Sequence, residues 1–196
     1  MSVRLPVQFM SPQGTHDRVF GVAKSVVHDS IVGVVRDAVG GDTDISVGYN
    51  NQSSYITTRQ FMTAYNNIGI LESLMEAQKS GADVALVACG NDPAVLMARE
   101  ALDIPVLGIT ESAALLACSL GKRFACVGVE RDCADIVEAN LEDYGLIDKA
   151  IRREPVRTAD LAESLIPWFE DPAYVQSHVI PRFEEAARGA IADGAE

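Results

Sequence analysis

The chain has 196 residues, 48% of them hydrophobic and 22% charged. That is a globular composition, long enough to bury a core without disulfide or metal staples. Lys and Arg number 16 against 28 Asp and Glu, a net charge of −12, which argues against nucleic acid or an anionic membrane as partner.

Leu5 to Met10 reads as a first strand, with Ser11-Pro12-Gln13-Gly14 as its exit loop. A helix capped by Thr15 or Asp17 runs to about Val39, with an apolar stripe from Val19 through Val35. Gly40-Gly41 is a turn, Asp44 to Tyr49 a second strand and Asn50 to Tyr55 a polar loop. Thr58 to Ser80 reads as helix closed by Gly81. Val84 to Ala88 is a continuous apolar strand, interrupted by Cys89-Gly90-Asn91-Asp92-Pro93. Asp92 is the expected N-cap and Pro93 the first residue of a helix to Leu102. Strands follow at Pro105 to Ile109 and Phe124 to Val129. Helices start at Thr110 or Glu111, stopping at Gly121, and at Asp132, ending near Gly145. Beyond Gly145 the pattern is less regular, with helices expected over Thr158 to Phe169 and Tyr174 to Ala192. Alternating strands and helices on short connections imply α/β architecture with mostly parallel sheets.

In such sheets ligands bind beyond the carboxyl ends of the strands. Cys89 falls there, ahead of a helix N-terminus whose amides, Asn91 to Ala94, are expected to be open to an anion and to favour thiolate. The plainer reading of Cys89 is a buried small hydrophobe. Cys118 and Cys126 lie within apolar elements and read as core; Cys133, at a helix start, is better placed electrostatically. The other strand ends offer Ser11 and Gln13, Asn50, and Thr110 and Glu111, and Asn91 and Asp92 flank the thiol. These short polar groups suit a small polar substrate with a carboxylate or carbonyl. His16, His28 and His178 are too scattered for a metal site, and there is neither GxGxxG nor GxxxxGK[ST]. No metal and no cofactor is therefore expected. No apolar run reaches a membrane span, Met1 to Met10 lacks a secretory signal's core, and the four cysteines make no CxxC pair. A cytoplasmic, reducing setting is expected.

The run Gly81-Ala82-Asp83-Val84-Ala85-Leu86-Val87-Ala88-Cys89-Gly90-Asn91-Asp92-Pro93 carries a resemblance. It is joined by Ile104-Pro105-Val106-Leu107-Gly108-Ile109-Thr110-Glu111-Ser112-Ala113 and Leu120-Gly121-Lys122-Arg123-Phe124-Ala125. Together they resemble the aspartate/glutamate/hydantoin racemase superfamily, its hydantoin racemase branch above all, over about Gly81 to Gly145. The resemblance implies two similar Rossmann-like lobes related by pseudo-twofold symmetry, with the active site in the cleft between them. The lobes are expected over residues 1–115, bearing Cys89, and 116–196. It also implies cofactor-independent racemisation or epimerisation at the carbon next to a carbonyl or carboxylate, by two cysteines that remove and return a proton on opposite faces. Cys89 matches the first cysteine, Asn91 and Asp92 the turn beside it, and Glu111 and Ser112 the element after the next strand. The implied substrate is a hydantoin or amino-acid-like molecule.

Two departures stand out. The first strand exits into Ser11-Pro12-Gln13-Gly14-Thr15 rather than an Asn–Pro–Asn–Thr-like loop, and no Gly–Cys–x–Gly-type turn carries a second cysteine. A weak repeat bears on the latter: Gly81-Ala82-Asp83 leads into the strand before Cys89, and Gly194-Ala195-Glu196 has the same cadence. It places an apolar strand of about five residues, then a cysteine, past Glu196, and makes the second lobe incomplete. An exposed sheet edge would then favour homo-association. A one-cysteine decarboxylase or cis–trans isomerase of the superfamily, an inactive relative, and a non-catalytic binding or structural α/β protein remain the alternatives.

Overall fold

A computed structural model describes residues 2–9, 24–50, 60–161 and 171–196. The chain divides into two compact units, Met1–Ile109 and Thr110–Glu196.

The first unit is a four-stranded sheet in the order β2-β1-β3-β4. β1 (Val3–Phe9) pairs in parallel with β2 (Thr43–Tyr49) along its whole length, Val3 opposite Thr43 and Phe9 opposite Tyr49. β3 (Ala85–Val87) joins the other side of β1, Val7 opposite Leu86, and β4 (Val106–Gly108) extends the sheet beyond β3. Leu5 to Phe9 are all buried, as expected of a parallel strand covered on both faces. Alternation sends Val7 and Phe9 to one side, where they pack with Val32, Ile31 and Val35 of α1 (Lys24–Val39). On the other side Gln8 meets Ser73 of α2 (Gln60–Lys79), whose hydroxyl lies 2.7 Å from the Gln8 Oε1. There Ile70 and Leu74 of α2 pack with Ala85 and Val87 of β3, Val106 of β4, and Val95 and Ala98 of α3 (Val95–Ala101). Truncating a side chain as buried as Leu74 costs about 2–5 kcal/mol, so this cluster holds the strand that leads to Cys89.

The second unit begins within α4 (Ile109–Leu120), which follows β4 without a loop. Its sheet pairs β5 (Cys126–Gly128) with β6 (Val156–Thr158), again in parallel. α5 (Arg131–Asp143) buries Ala134, Val137 and Leu141 against Phe124, Ala150 and Val156. A single turn, α6 (Pro172–Tyr174), passes through a π turn at Val175–Val179 into α7 (Ile180–Ala192). Asp171 caps the start, its Oδ1 accepting from the amides of Ala173 and Tyr174.

Three expectations need correction. No strand is expected at β6, and Thr158 at its end is expected to open a helix; β6 is three residues long, and Val156 is its one fully buried side chain. So short a segment gives no period-2 signal, and pairing with β5 makes it a strand. Residues 162–170 lie outside the described residues. Asp92 and Pro93 do not open α3. Asp92 (φ +45°) and Ala94 (φ +60°) both take left-handed backbone, so the helix begins only at Val95 and has no side-chain cap. Asp132 lies inside the first turn of α5, after Glu130 at the N-cap position.

Candidate active site

The parallel strands of the first unit all end on one edge of the sheet. Strand order reverses there between β1 and β3, since β2 lies on one side of β1 and β3 on the other. That reversal is where a crevice opens in sheets of this kind. Cys89 stands two residues past the end of β3, half-buried and outside any disulfide.

The turn carrying it is tightly held. The Asp92 amide donates to the Cys89 carbonyl at 3.0 Å, so the expected row of open amides is broken at that position. Asp92, Pro93, Ala94 and Val95 are buried. A non-glycine residue in left-handed backbone costs on the order of 1–2 kcal/mol, and Asp92 and Ala94 both pay it. Such strain persists where the surroundings over-determine it, and it gathers at functional sites. The Asp92 carboxylate is only 4% exposed and occupies the space above Gly108 of β4; a Cβ on Gly108 would lie 2.6 Å from its Cγ and Oδ2. Asp92 therefore bridges the thiol's turn and the end of β4. Asn91 beside it is half-buried.

Asn50, directly after β2, is fully buried, and its Nδ2 donates to the Asn66 carbonyl of α2 at 2.9 Å. It ties a strand end to a helix. Thr110 and Glu111 are half-buried in the first turn of α4. Ser11 and Gln13 lie outside the described residues, as does His16. Gly108 opens the strand-end element Gly108 to Ser112 that the sequence offers as a second candidate, whereas nothing local in the sequence marks the Gln8–Ser73 contact.

The other cysteines read differently. Cys126 packs at the edge of the second unit's core, and burial pushes its thiol above its ordinary pKa. It is thereby a poor source of thiolate at neutral pH. Cys118 packs against the same cluster, and the Cys133 Sγ lies 3.7 Å from the Glu130 Oε1. His178 stacks on Tyr174, ring centroids 4.5 Å apart, beside the Ser177 hydroxyl. A cavity of about 630 Å³ opens beside β6. Its charged lining mixes Arg131, Arg157 and Arg182 with Glu154, Asp160 and Glu185, and holds no thiol. Among the described residues no helix is long and apolar enough to cross a membrane.

The first unit is thus a parallel α/β sheet with a thiol just past the carboxyl end of an inner strand, beside a strained turn. The family model for Asp/Glu/hydantoin racemase matches residues 25–196, and the chain belongs to this family. It is 30% identical over 128 residues to the hydantoin racemase of Pseudomonas sp. (strain NS671), a stretch covering 64% of this chain and 51% of that protein. It is also 30% identical over 128 residues to the hydantoin racemase of Rhizobium meliloti, covering 65% and 50%. The chain thus spans about half the length of the curated relatives it matches. Allantoin racemase from Klebsiella pneumoniae shares the fold, with a TM-score of 0.77 and 23% identity over 98% of this chain and 71% of that one.

Proposed function

We propose that this chain supplies the Cys89 half of a cofactor-independent racemase or epimerase site acting on a 5-substituted hydantoin or a similar cyclic amide. The observation that carries the reading is Cys89 itself, half-buried just past β3 at the strand-order reversal, on a turn held in strained backbone. Its relatives' names point to one substrate chemistry. Allantoin is a hydantoin with a ureido group at C5, so both names denote inversion at the carbon next to the ring's C4 carbonyl.

The chemistry follows from that carbon. The Cys89 thiolate removes its proton, and the C–H electron pair moves into an enolate on the neighbouring carbonyl oxygen. A thiolate is a weak base for a carbon acid, so donors aimed at that oxygen must stabilise the developing charge. A ring amide eases the task, because its α-proton is more acidic than that of a zwitterionic amino acid. Asn91 and the backbone of the turn, with Thr110 and Glu111 after β4, are the groups assigned to hold the ring. Asp92 is assigned to the turn's shape, because its carboxylate is buried against Gly108. Inversion needs a second acid on the opposite face, since one thiol returns the proton to the side it left. The family resemblance assigns this to a second cysteine.

Proton exchange tests the role of Cys89. Wild-type protein in deuterated water should remove the C5 proton signal of an optically pure 5-substituted hydantoin. Cys89→Ser should lose this by at least about a hundredfold, because a hydroxyl of nearly the same size has a far higher pKa. Equal exchange in both proteins would remove Cys89 from the chemistry.

A further inference from the structure

Among the described residues, four other than glycine take left-handed backbone, and they fall into two pairs. Asp92 and Ala94 frame the turn of Cys89. Glu154 (φ +48°) and Asp160 (φ +50°) flank β6, and both line the cavity of about 630 Å³ beside it. Hydrogen bonds to β5 hold the chain next to each of them. The Pro155 carbonyl, after Glu154, accepts from Cys126 N at 2.9 Å. Ala159 N and Leu161 N, on either side of Asp160, donate to the Gly128 and Val129 carbonyls at 2.9 and 3.0 Å. Strain held in this way gathers at functional sites, and the volume lies in the range of roughly 300–1,000 Å³ that small-ligand sites occupy.

The wall is built from β6 and α7 together. Arg157 of β6 is drawn across α7, where its guanidinium pairs with Asp193. Gly189 leaves it room, since a Cβ there would lie 2.8 Å from the Arg157 Nη1. The Arg157 side chain is only 14% exposed, and its Nε is buried without a hydrogen-bond partner. Arg182 and Glu185 stand three apart on α7, a spacing at which opposite charges can meet. Yet among the described residues the side chains of Arg182, Glu185 and Glu154 make no ion pair and no hydrogen bond. Asp160 accepts from the Thr158 hydroxyl at 2.6 Å. Arg131 pairs with Asp135 at 3.3 Å in the open, an interaction worth little.

The charges decide the ligand. Three guanidinium groups, of Arg131, Arg157 and Arg182, share the lining with three carboxylates, of Glu154, Asp160 and Glu185. A simple anion would meet the carboxylates, and a simple cation the guanidinium groups; like charges brought together are costly. A molecule carrying both charges satisfies both sets. A guanidinium takes a carboxylate through paired N–H···O bonds, and carboxylates accept from an ammonium. We propose that this cavity is a further binding site of the chain, for a small zwitterion with its carboxylate on Arg182 and its ammonium on Glu154 and Glu185. The inference does not rest on the chemistry of Cys89.

The test follows backbone amide shifts of the whole chain by NMR, on titration with L-alanine and with the dipeptide L-alanyl-L-alanine. The expected result is saturable shifts at Thr158, Ala186 and Gly189; the tighter of the two ligands shows whether a free amino acid or a peptide is the better fit. Acetate and methylammonium, each with one of the two charges, should bind at least about tenfold more weakly. Arg182→Gln and Glu185→Gln, both at exposed positions of α7, should each weaken binding of the zwitterion by at least about tenfold. Saturation by neither zwitterion would overturn the proposal. So would acetate or methylammonium binding as tightly as the zwitterion, or undiminished binding in either variant.

Discussion

Gly48 of β2 sits opposite Gln8 of β1, and an alanine there tests how closely the two strands and α2 are fitted. A Cβ on Gly48 would overlap the Gln8 Oε1 and lie 3.2 Å from the Ser73 Oγ. Gln8 is 1% exposed, with Oε1 accepting from Ser73 at 2.7 Å and Nε2 donating to the Phe9 carbonyl at 2.9 Å. Its amide cannot move aside without breaking both bonds away from water. Each buried group left unsatisfied costs about 1–3 kcal/mol. Replacing a strand glycine returns about 0.5–1 kcal/mol of chain entropy. Gly48→Ala should therefore destabilise the protein by about 1–5 kcal/mol, the two bonds less that return. In a Gln8→Ala background the obstacle is gone, so the same change should be neutral or slightly stabilising. Urea titrations of the four proteins, with slopes checked for constancy, give the coupling directly. A cost below about 0.5 kcal/mol for Gly48→Ala, or an equal cost in both backgrounds, would refute the reasoning.

Gly108→Ala pushes a methyl group into the Asp92 carboxylate; it should cost about 1–3 kcal/mol and change the iodoacetamide labelling rate of Cys89 in the native protein, read by mass spectrometry. Asp171→Ala removes the acceptor of two helix amides, and denaturant melts should show a loss of about 1 kcal/mol. Burial raises the Cys126 pKa in the folded state, so the folded protein holds that proton more tightly than the unfolded one. The resulting stability is present below the unfolded thiol's pKa, about 8.5, and is lost as pH rises through that value toward the folded one. Between pH 7.5 and 9.5 the urea midpoint of wild type should therefore fall further than that of Cys126→Val; parallel falls would contradict the assignment.

The first unit was largely legible in the sequence because its signals are long or strongly apolar. β1, β2 and the strand before Cys89 are found within two residues of their expected ends, and Gly81 does close α2. The place of Cys89 just past β3 was legible because a thiol ending an apolar run is conspicuous. The turn after it was misread because Asp-Pro ahead of a helix is also a capping pattern. Only the space above Gly108 shows that the carboxylate of Asp92 is drawn inward instead. Asn50 was read as a polar loop residue, whereas its amide is spent on α2, a long-range bond that local pattern cannot show. β6 depends wholly on its partner, β5.

Pro6 lies inside β1, opposite Ser46, in the central strand of the first sheet, and it bears on how the chain is made. β1 is synthesised first, yet one edge waits for Tyr49 and the other for Val87. At ribosomal rates of about 5–20 residues per second the second wait lasts roughly 4–16 s. Throughout it an apolar segment with β-forming side chains is exposed to other nascent chains. A proline removes one donor from that segment and weakens any ladder built across it. The native pairing loses little, because β3 engages β1 only from Val7 onward. Replacing Pro6 with valine should therefore raise the aggregated fraction during expression more than it changes the stability of the folded protein.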